Sequence, residues 1–187
     1  MKRPDTNYQT PVTKLGARQL RASRPKKSDL AKIKRREIYI ICDNILDTYN
    51  IGSIFRLADA VAASCVYLCG QTATPPYHRI AKAAVGTEKW VPWQHFPSVN
   101  AAISNIKSQI SNIKVVAIEQ SARSIDYRKA DLSEPVAFII GHETTGVSKE
   151  ALALADQIVE LPMYGVNKSL NVMVSLAIVL FKSVEQC

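Results

Sequence analysis

The chain has 187 residues, 47% of them hydrophobic, enough for one domain with a workable core, and this excludes a globally disordered chain. Its net charge of +8 is unevenly placed: residues 1–36 hold twelve Lys/Arg against Asp5 and Asp29, a net of +10, which leaves −2 on residues 37–187. The most apolar run, 172–181, is too short to cross a bilayer, no apolar signal core follows the basic start, and neither a C-x-x-C pair nor a His spacing indicates a metal site.

The basic arm, residues 1–36, has early prolines and no acidic partners for most of its cations. It reads either as a solvated leader or as a phosphate-binding arm that releases counterions from a polyanion. The remainder, 37–187, alternates as an α/β domain does. "EIYIIC" (37–42) predicts a strand, 50–63 a helix, "CVYLCG" (65–70) a strand and 98–110 a helix. "KVVAIE" (114–119) and "VAFIIG" (136–141) are further short apolar strands, which suit a mostly parallel sheet with helices on both faces. A short helix from Ser148, a strand over 157–162 and a deeply packed helix capped by Ser169 complete the series. Cys42, Cys65, Cys69 and Cys187 are expected to be buried, reduced thiols.

Three segments carry polar residues that such a fold does not need. In 50–63, Asn50, Gly52, Ser53 and Arg56 lie off the apolar stripe; Arg56 is either the i,i+3 partner of Asp59 or an anion clamp at a strand's carboxyl end. "GHETTGVS" (141–148) meets the phosphate-loop pattern G-x-x-x-x-G-K-S/T except that Val147 replaces the lysine, and Glu143 adds a carboxylate. Its glycines permit a tight turn or a close backbone approach, and its acid favours a neutral or cationic ligand. In the third segment, Asn171 and Ser175 interrupt an apolar helix, so Asn171 must find partners in the core or in a site.

In this order, "NIGSIFR" (50–56), "FIIGHETTG" (138–146) and "LPMYGVNKSLNVMVSLAIVLF" (161–181) resemble the three motifs of the SpoU/TrmH class of SPOUT RNA methyltransferases. The likeness covers Ile38 to Phe181, and 75–93 is similar to that family's linking region. It implies a C-terminal deep trefoil knot, a homodimer, and S-adenosylmethionine-dependent methylation of a ribose 2′-hydroxyl in tRNA or rRNA. By motif position, Gly141, Leu161, Met163 and Leu170, with Glu119 beside them, would hold the cofactor. Asn50, Arg56, Glu143, Ser169 and Asn171 would surround the reacting groups. RNA capture would rest on the basic arm and the dimer surface, in the cytoplasm and without a membrane. Two other readings are a noncatalytic RNA-binding protein on the same fold and a nucleotide-binding α/β enzyme; the latter lacks both a G-x-G-x-x-G after the first strand and the phosphate-loop lysine.

Overall fold

The computed structural model describes residues 25–186. Among them, after a helical turn at Lys27–Leu30, seven strands and five helices follow: β1 (Arg36–Asp43), α1 (Thr48–Ala60), β2 (Ala63–Cys69), α2 (His78–Ala84), β3 (Trp93–Phe96), α3 (Val99–Gln109), β4 (Lys114–Ile118), β5 (Ile125–Asp126), β6 (Val136–Gly141), α4 (Lys149–Leu154), β7 (Gln157–Glu160) and α5 (Val172–Glu185). The strands form one sheet in the order β3-β2-β1-β6-β4-β7-β5, and every pairing is parallel. The parallel α/β architecture expected from the alternating pattern is therefore the observed one.

Parallel strands need both faces covered, and the sequence supplies both. Alternate residues of the central strands divide between two cores. Ile38, Ile40, Val66, Leu68, Val116, Phe138 and Ile140 meet Ile51, Ile54, Phe55 and Ala58 of α1 and Leu176, Val179 and Leu180 of α5. On the other face, Ile41, Tyr67, Val115, Ala117 and Ile139 meet Ala102, Ile103 and Ile106 of α3 and Ala151 of α4. Each fully buried Ile or Phe contributes roughly 1.5–3 kcal/mol.

The loops that leave β1 and β6 diverge, because β1 leads to α1 on one face and β6 to α4 on the other. A crevice opens where such neighbours part, at the carboxyl edge of the sheet.

Several expectations change in detail. The short edge strand β3, "WQHF", and the helix α2 lie in or beside the 75–93 segment, where mixed polarity hides them, and β5 is only two residues long. Strand β7 stops at Glu160 instead of 162, and the last helix begins at Val172, capped by Asn171 and not by Ser169. That helix is buried along one side only; Val174 and Phe181 are exposed, Phe181 by 50%. Asn50 and Gly52 are buried in spite of lying off the stripe: α2 packs on Gly52, and the Asn50 amide is bonded to Glu143 and Asn171 on another side of α1. The basic segment is not wholly separate either: Arg36 pairs with Glu134, and Arg35 donates to the carbonyls of Ala63 and Trp90 at 2.9 Å each.

Close packing of α1 on α2 depends on Gly52. A Cβ there would lie 2.5 Å from the Ile80 carbonyl oxygen and 2.6 Å from the Ala83 Cβ, so no side chain fits without moving α2. Gly52→Ala is therefore expected to lower stability by about 1–3 kcal/mol, the scale of overpacking, despite alanine's better helix propensity. Urea denaturation followed by circular dichroism measures this; an unchanged midpoint would show that the two helices separate at little cost.

Candidate functional site

On the same edge of the sheet, on the β4 side of β6, lies a cavity of about 510 Å³, inside the range of roughly 300–1,000 Å³ usual for small-molecule sites. Its floor is the carboxyl ends of β4, β6 and β7, and its walls are the 141–146 loop, the 161–171 segment and the first turn of α5. Gly141, Leu161, Met163, Leu170 and Glu119 all line it, as do Glu143, Ser169 and Asn171. Asn50 and Arg56 do not; both stand on α1, where Asn50 is bonded to the lining residues Glu143 and Asn171.

Why a sequence so close to a phosphate loop makes something else is visible in its backbone. His142 and Gly146 exchange both N–H···O bonds, at 3.1 and 2.9 Å, and Gly146 takes φ +72° to close the turn. The His142 Nδ1 accepts from the N–H groups of Thr144 and Thr145 at 3.0 and 3.3 Å. Val147 N–H donates to Glu119 Oε2 at 2.8 Å, and Ser148 N–H donates to Asp43 Oδ2 at 2.9 Å. The amides that would cradle an anion are thus already bonded, two of them to carboxylates. Val147 itself is 5% exposed and belongs to the core.

The glycines serve this closure. A Cβ on Gly141 would lie 2.2 Å from both the Gly146 carbonyl carbon and the Val147 nitrogen, and one on Gly146 would lie 2.2 Å from Glu119 Oε2. The close approach at Gly141 is therefore made by the loop's own backbone.

Glu143 reaches out of the loop to α1. It accepts from Leu46 N–H at 3.2 Å, Asp47 N–H at 3.0 Å and Asn50 Nδ2 at 2.9 Å. Asn171 Nδ2 in turn donates to Asn50 Oδ1 at 3.1 Å, while Asn171 Oδ1 accepts from Met173 N–H at 2.9 Å. Asn50, only 5% exposed, is satisfied on both ends of its amide. Burial pushes the Glu143 carboxyl up, but the donors, led by Asn50, outweigh this and hold it below the ordinary 4.5.

Ser169 is exposed on the cavity wall, and its N–H donates to Asn167 Oδ1 at 3.3 Å. Gln120 Nε2 donates to the Lys168 carbonyl at 2.7 Å and fastens the 161–171 segment to the end of β4. Arg56 is exposed, and Asp59 accepts from Trp90 Nε1 at 2.7 Å instead of pairing with it. Among the described residues Arg56 forms no ion pair.

Sequence reasoning missed Asp43, which is 3% exposed and anchors the start of α4 through Ser148 N–H. An acid closing an apolar strand was the available signal. Burial pushes the thiols of Cys65 and Cys69 up to about 12 and that of Cys42 well above its ordinary value, so all three stay protonated, as expected of buried thiols. Cys187 lies outside the described residues.

The chain is similar to known proteins. The sequence profile of the SpoU rRNA Methylase family matches residues 37–181. The tRNA (guanosine(18)-2′-O)-methyltransferase of Escherichia coli (strain K12) is 32% identical over 153 residues, which cover 80% of this chain and 64% of that enzyme. The chain thus spans just under two thirds of that relative's length. The enzyme of the same name from Thermus thermophilus is 30% identical over 165 residues, covering 88% of this chain and 83% of its own. The SpoU methyltransferase AviRb from Streptomyces viridochromogenes, in complex with the cofactor AdoMet, superposes with a TM-score of 0.75 at 27% identity, covering 84% of this chain and 64% of the other.

The carboxylate network yields a pH prediction. Because the Glu143 carboxyl lies below its unfolded value when folded, its contribution to stability is complete above that unfolded value. It is lost as the pH falls through the lower, folded one. Glu143→Ala should cost about 1 kcal/mol at neutral pH, the scale of a lost helix cap, and should flatten the fall in stability below 4.5. Denaturant titrations across the acid range check this, and parallel curves for the two proteins would remove Glu143 from the account.

Proposed function

We infer, given that the chain belongs to the SpoU rRNA Methylase family, that it transfers a methyl group from S-adenosylmethionine to a ribose 2′-hydroxyl of tRNA or rRNA. The observation that carries this reading is the cavity's chemistry. Among the described residues, Glu119, Glu143 and Glu160 line it against the single cation Lys168, and the loop amides are spent internally. Such a wall disfavours a polyphosphate, the ligand of the nucleotide-binding alternative, and suits a ligand that carries positive charge.

When bound, S-adenosylmethionine supplies an electrophilic methyl on a positively charged sulfur. What the chain must add is alignment of the ribose oxygen and stabilisation of the negative charge that grows there. Arg56 is suited to the second task. Its guanidinium is exposed, forms no ion pair among the described residues, and presents a planar fork to a phosphate and an adjoining oxygen. A guanidinium keeps its proton and is a poor proton acceptor, so its role is to hold charge.

Glu143 is a positioning group: its oxygens already accept from two amides and Asn50. Through Asn50 and Asn171 it fixes α1, and with it Arg56, relative to α5. Ser169 offers an exposed hydroxyl on the cavity wall. Gly141, Leu161, Met163 and Leu170, with Glu119 behind the loop, form the cofactor's surroundings.

The same reading includes a knot formed where the 161–171 segment passes to α5, and a homodimer in the cytoplasm. The exposed apolar side chains Leu46, Tyr49, Leu170, Val174 and Phe181 support the dimer, since a partner copy would cover them. Residues 37–187 are taken as the methyltransferase domain and residues 1–36 as an RNA-capturing arm, of which 1–24 lie outside the described residues. That portion carries six Lys/Arg against Asp5. Its deletion is expected to weaken RNA binding and flatten the salt dependence, with S-adenosylmethionine affinity unchanged. Binding isotherms at several salt concentrations decide this, and an identical slope would remove the arm from RNA capture.

For Arg56→Ala, stability and cofactor affinity should stay near wild type, while the single-turnover rate of methyl transfer to RNA falls by about a hundredfold or more. Arg56→Lys, which keeps charge without the fork, should recover only part of the loss. Wild-type turnover in Arg56→Ala would refute the assignment.

A further inference from the structure

A second groove, of about 420 Å³, lies over the start of α2 and belongs to none of the motifs above. Pro75, Pro76, Tyr77, His78 and Trp93 give it an aromatic and apolar wall, with Tyr77 and His78 stacked at 5.3 Å between ring centroids. Glu88 lines both this groove and a smaller one adjoining it. Its side chain is out of place by ordinary rules. The residue is 8% exposed, and Oε2 is sealed from solvent with no hydrogen-bond partner among the described residues. A buried, unpartnered carboxylate oxygen is costly, and a ligand that supplies the missing donor removes that cost.

The occupant must bring N–H donors and a flat apolar face. A guanidinium would do so, but the exposed ammonium group of Lys89 rims the groove, that of Lys82 rims the smaller one adjoining it, and among the described residues neither forms an ion pair. They repel a cation and attract a phosphate. A nucleotide satisfies all three parts: a base stacked on the rings, a base edge on Glu88, and backbone phosphates on the lysines. Guanine presents N1–H and its exocyclic amine side by side, a pair of donors that one carboxylate accepts together once the Glu88 side chain turns Oε2 toward the groove, whereas adenine and cytosine offer a single amine.

We propose that the Pro75–Trp93 groove binds an unpaired guanine base of the RNA, held at its edge by Glu88, at a site separate from the ribose that is methylated. Gly52 packs α1 directly on α2 one turn before Arg56, so a base held at the start of α2 would brace the RNA beside the reacting centre. The proposal rests on the RNA-methyltransferase reading.

The test uses the full chain and a short fluorescent oligouridylate carrying one guanosine or one inosine, which lacks the exocyclic amine. Anisotropy should show wild type preferring guanosine on the order of tenfold. Glu88→Gln should abolish the preference without lowering the melting temperature, because it removes an unpartnered charge; a structural Glu88 would instead lower it. Tyr77→Ala, at an exposed ring, should weaken guanosine binding, and Lys89→Ala should weaken both oligonucleotides alike and flatten the salt dependence. A guanosine preference that survives in Glu88→Gln and Tyr77→Ala overturns the proposal. Failure of wild type to bind either oligonucleotide, or any tRNA or rRNA, would instead overturn the RNA reading on which it rests.

Discussion

The carboxylate of Glu143 joins two parts of the chain that the sheet sends to opposite faces. It leaves a loop that continues to α4 and accepts from the entry of α1, at Leu46, Asp47 and Asn50. A parallel sheet opens a crevice wherever neighbouring strands feed helices on different sides, and the opening is only as well defined as the contacts that span it. Here the span is electrostatic and directional, and it continues through Asn50 to Asn171, the cap of α5. Three helices thereby take their orientation from one short chain of polar bonds. The buried member, Asn50, makes the chain cooperative, since freeing either end of its amide leaves an unpaired group out of water.

The 141–148 loop shows how little sequence separates an anion cradle from its opposite. In a phosphate loop the amides point outward and a lysine answers the charge. In this loop the amides turn onto His142, Gly146, Glu119 and Asp43, and the lysine's place is taken by a core valine. Buried and half-buried carboxylates behind the loop reinforce the choice, because they draw the remaining N–H groups inward. The near match in glycine spacing reflects a shared need for a tight turn after a strand; the electrostatics of the two loops differ in sign.

Much of this was legible in the residues themselves. Strands β1, β2, β4 and β6 were visible as short β-branched runs, since burial on both faces leaves an unbroken apolar signature. Two of the three polar segments hold residues that line the cavity, and the first supplies Asn50, which bonds to two of them. What stayed hidden were properties set by partners distant in sequence. Asn171 rather than Ser169 caps the final helix because Asn50 and Met173 lie where its amide can serve both. Arg56 lost its expected helical partner to Trp90, from a segment whose own helix and strand gave no periodic signal. Gly52, which in the sequence only lies off the apolar stripe, is fixed by the Ile80 carbonyl packed against it.

The hydrogen bond from Asn171 to Asn50 closes a separation of 121 residues, and this imposes an order on synthesis. Strand β1 and helix α1 emerge early, yet the amide that α1 buries has no second partner until the final loop has been translated. A polypeptide released prematurely could assemble much of the sheet and would still carry an unsatisfied asparagine beside an open crevice. Quality-control proteases act on such local openings, so the site's long-range bond doubles as a mark of completeness: the pocket closes on itself only after the whole of its last wall has been made.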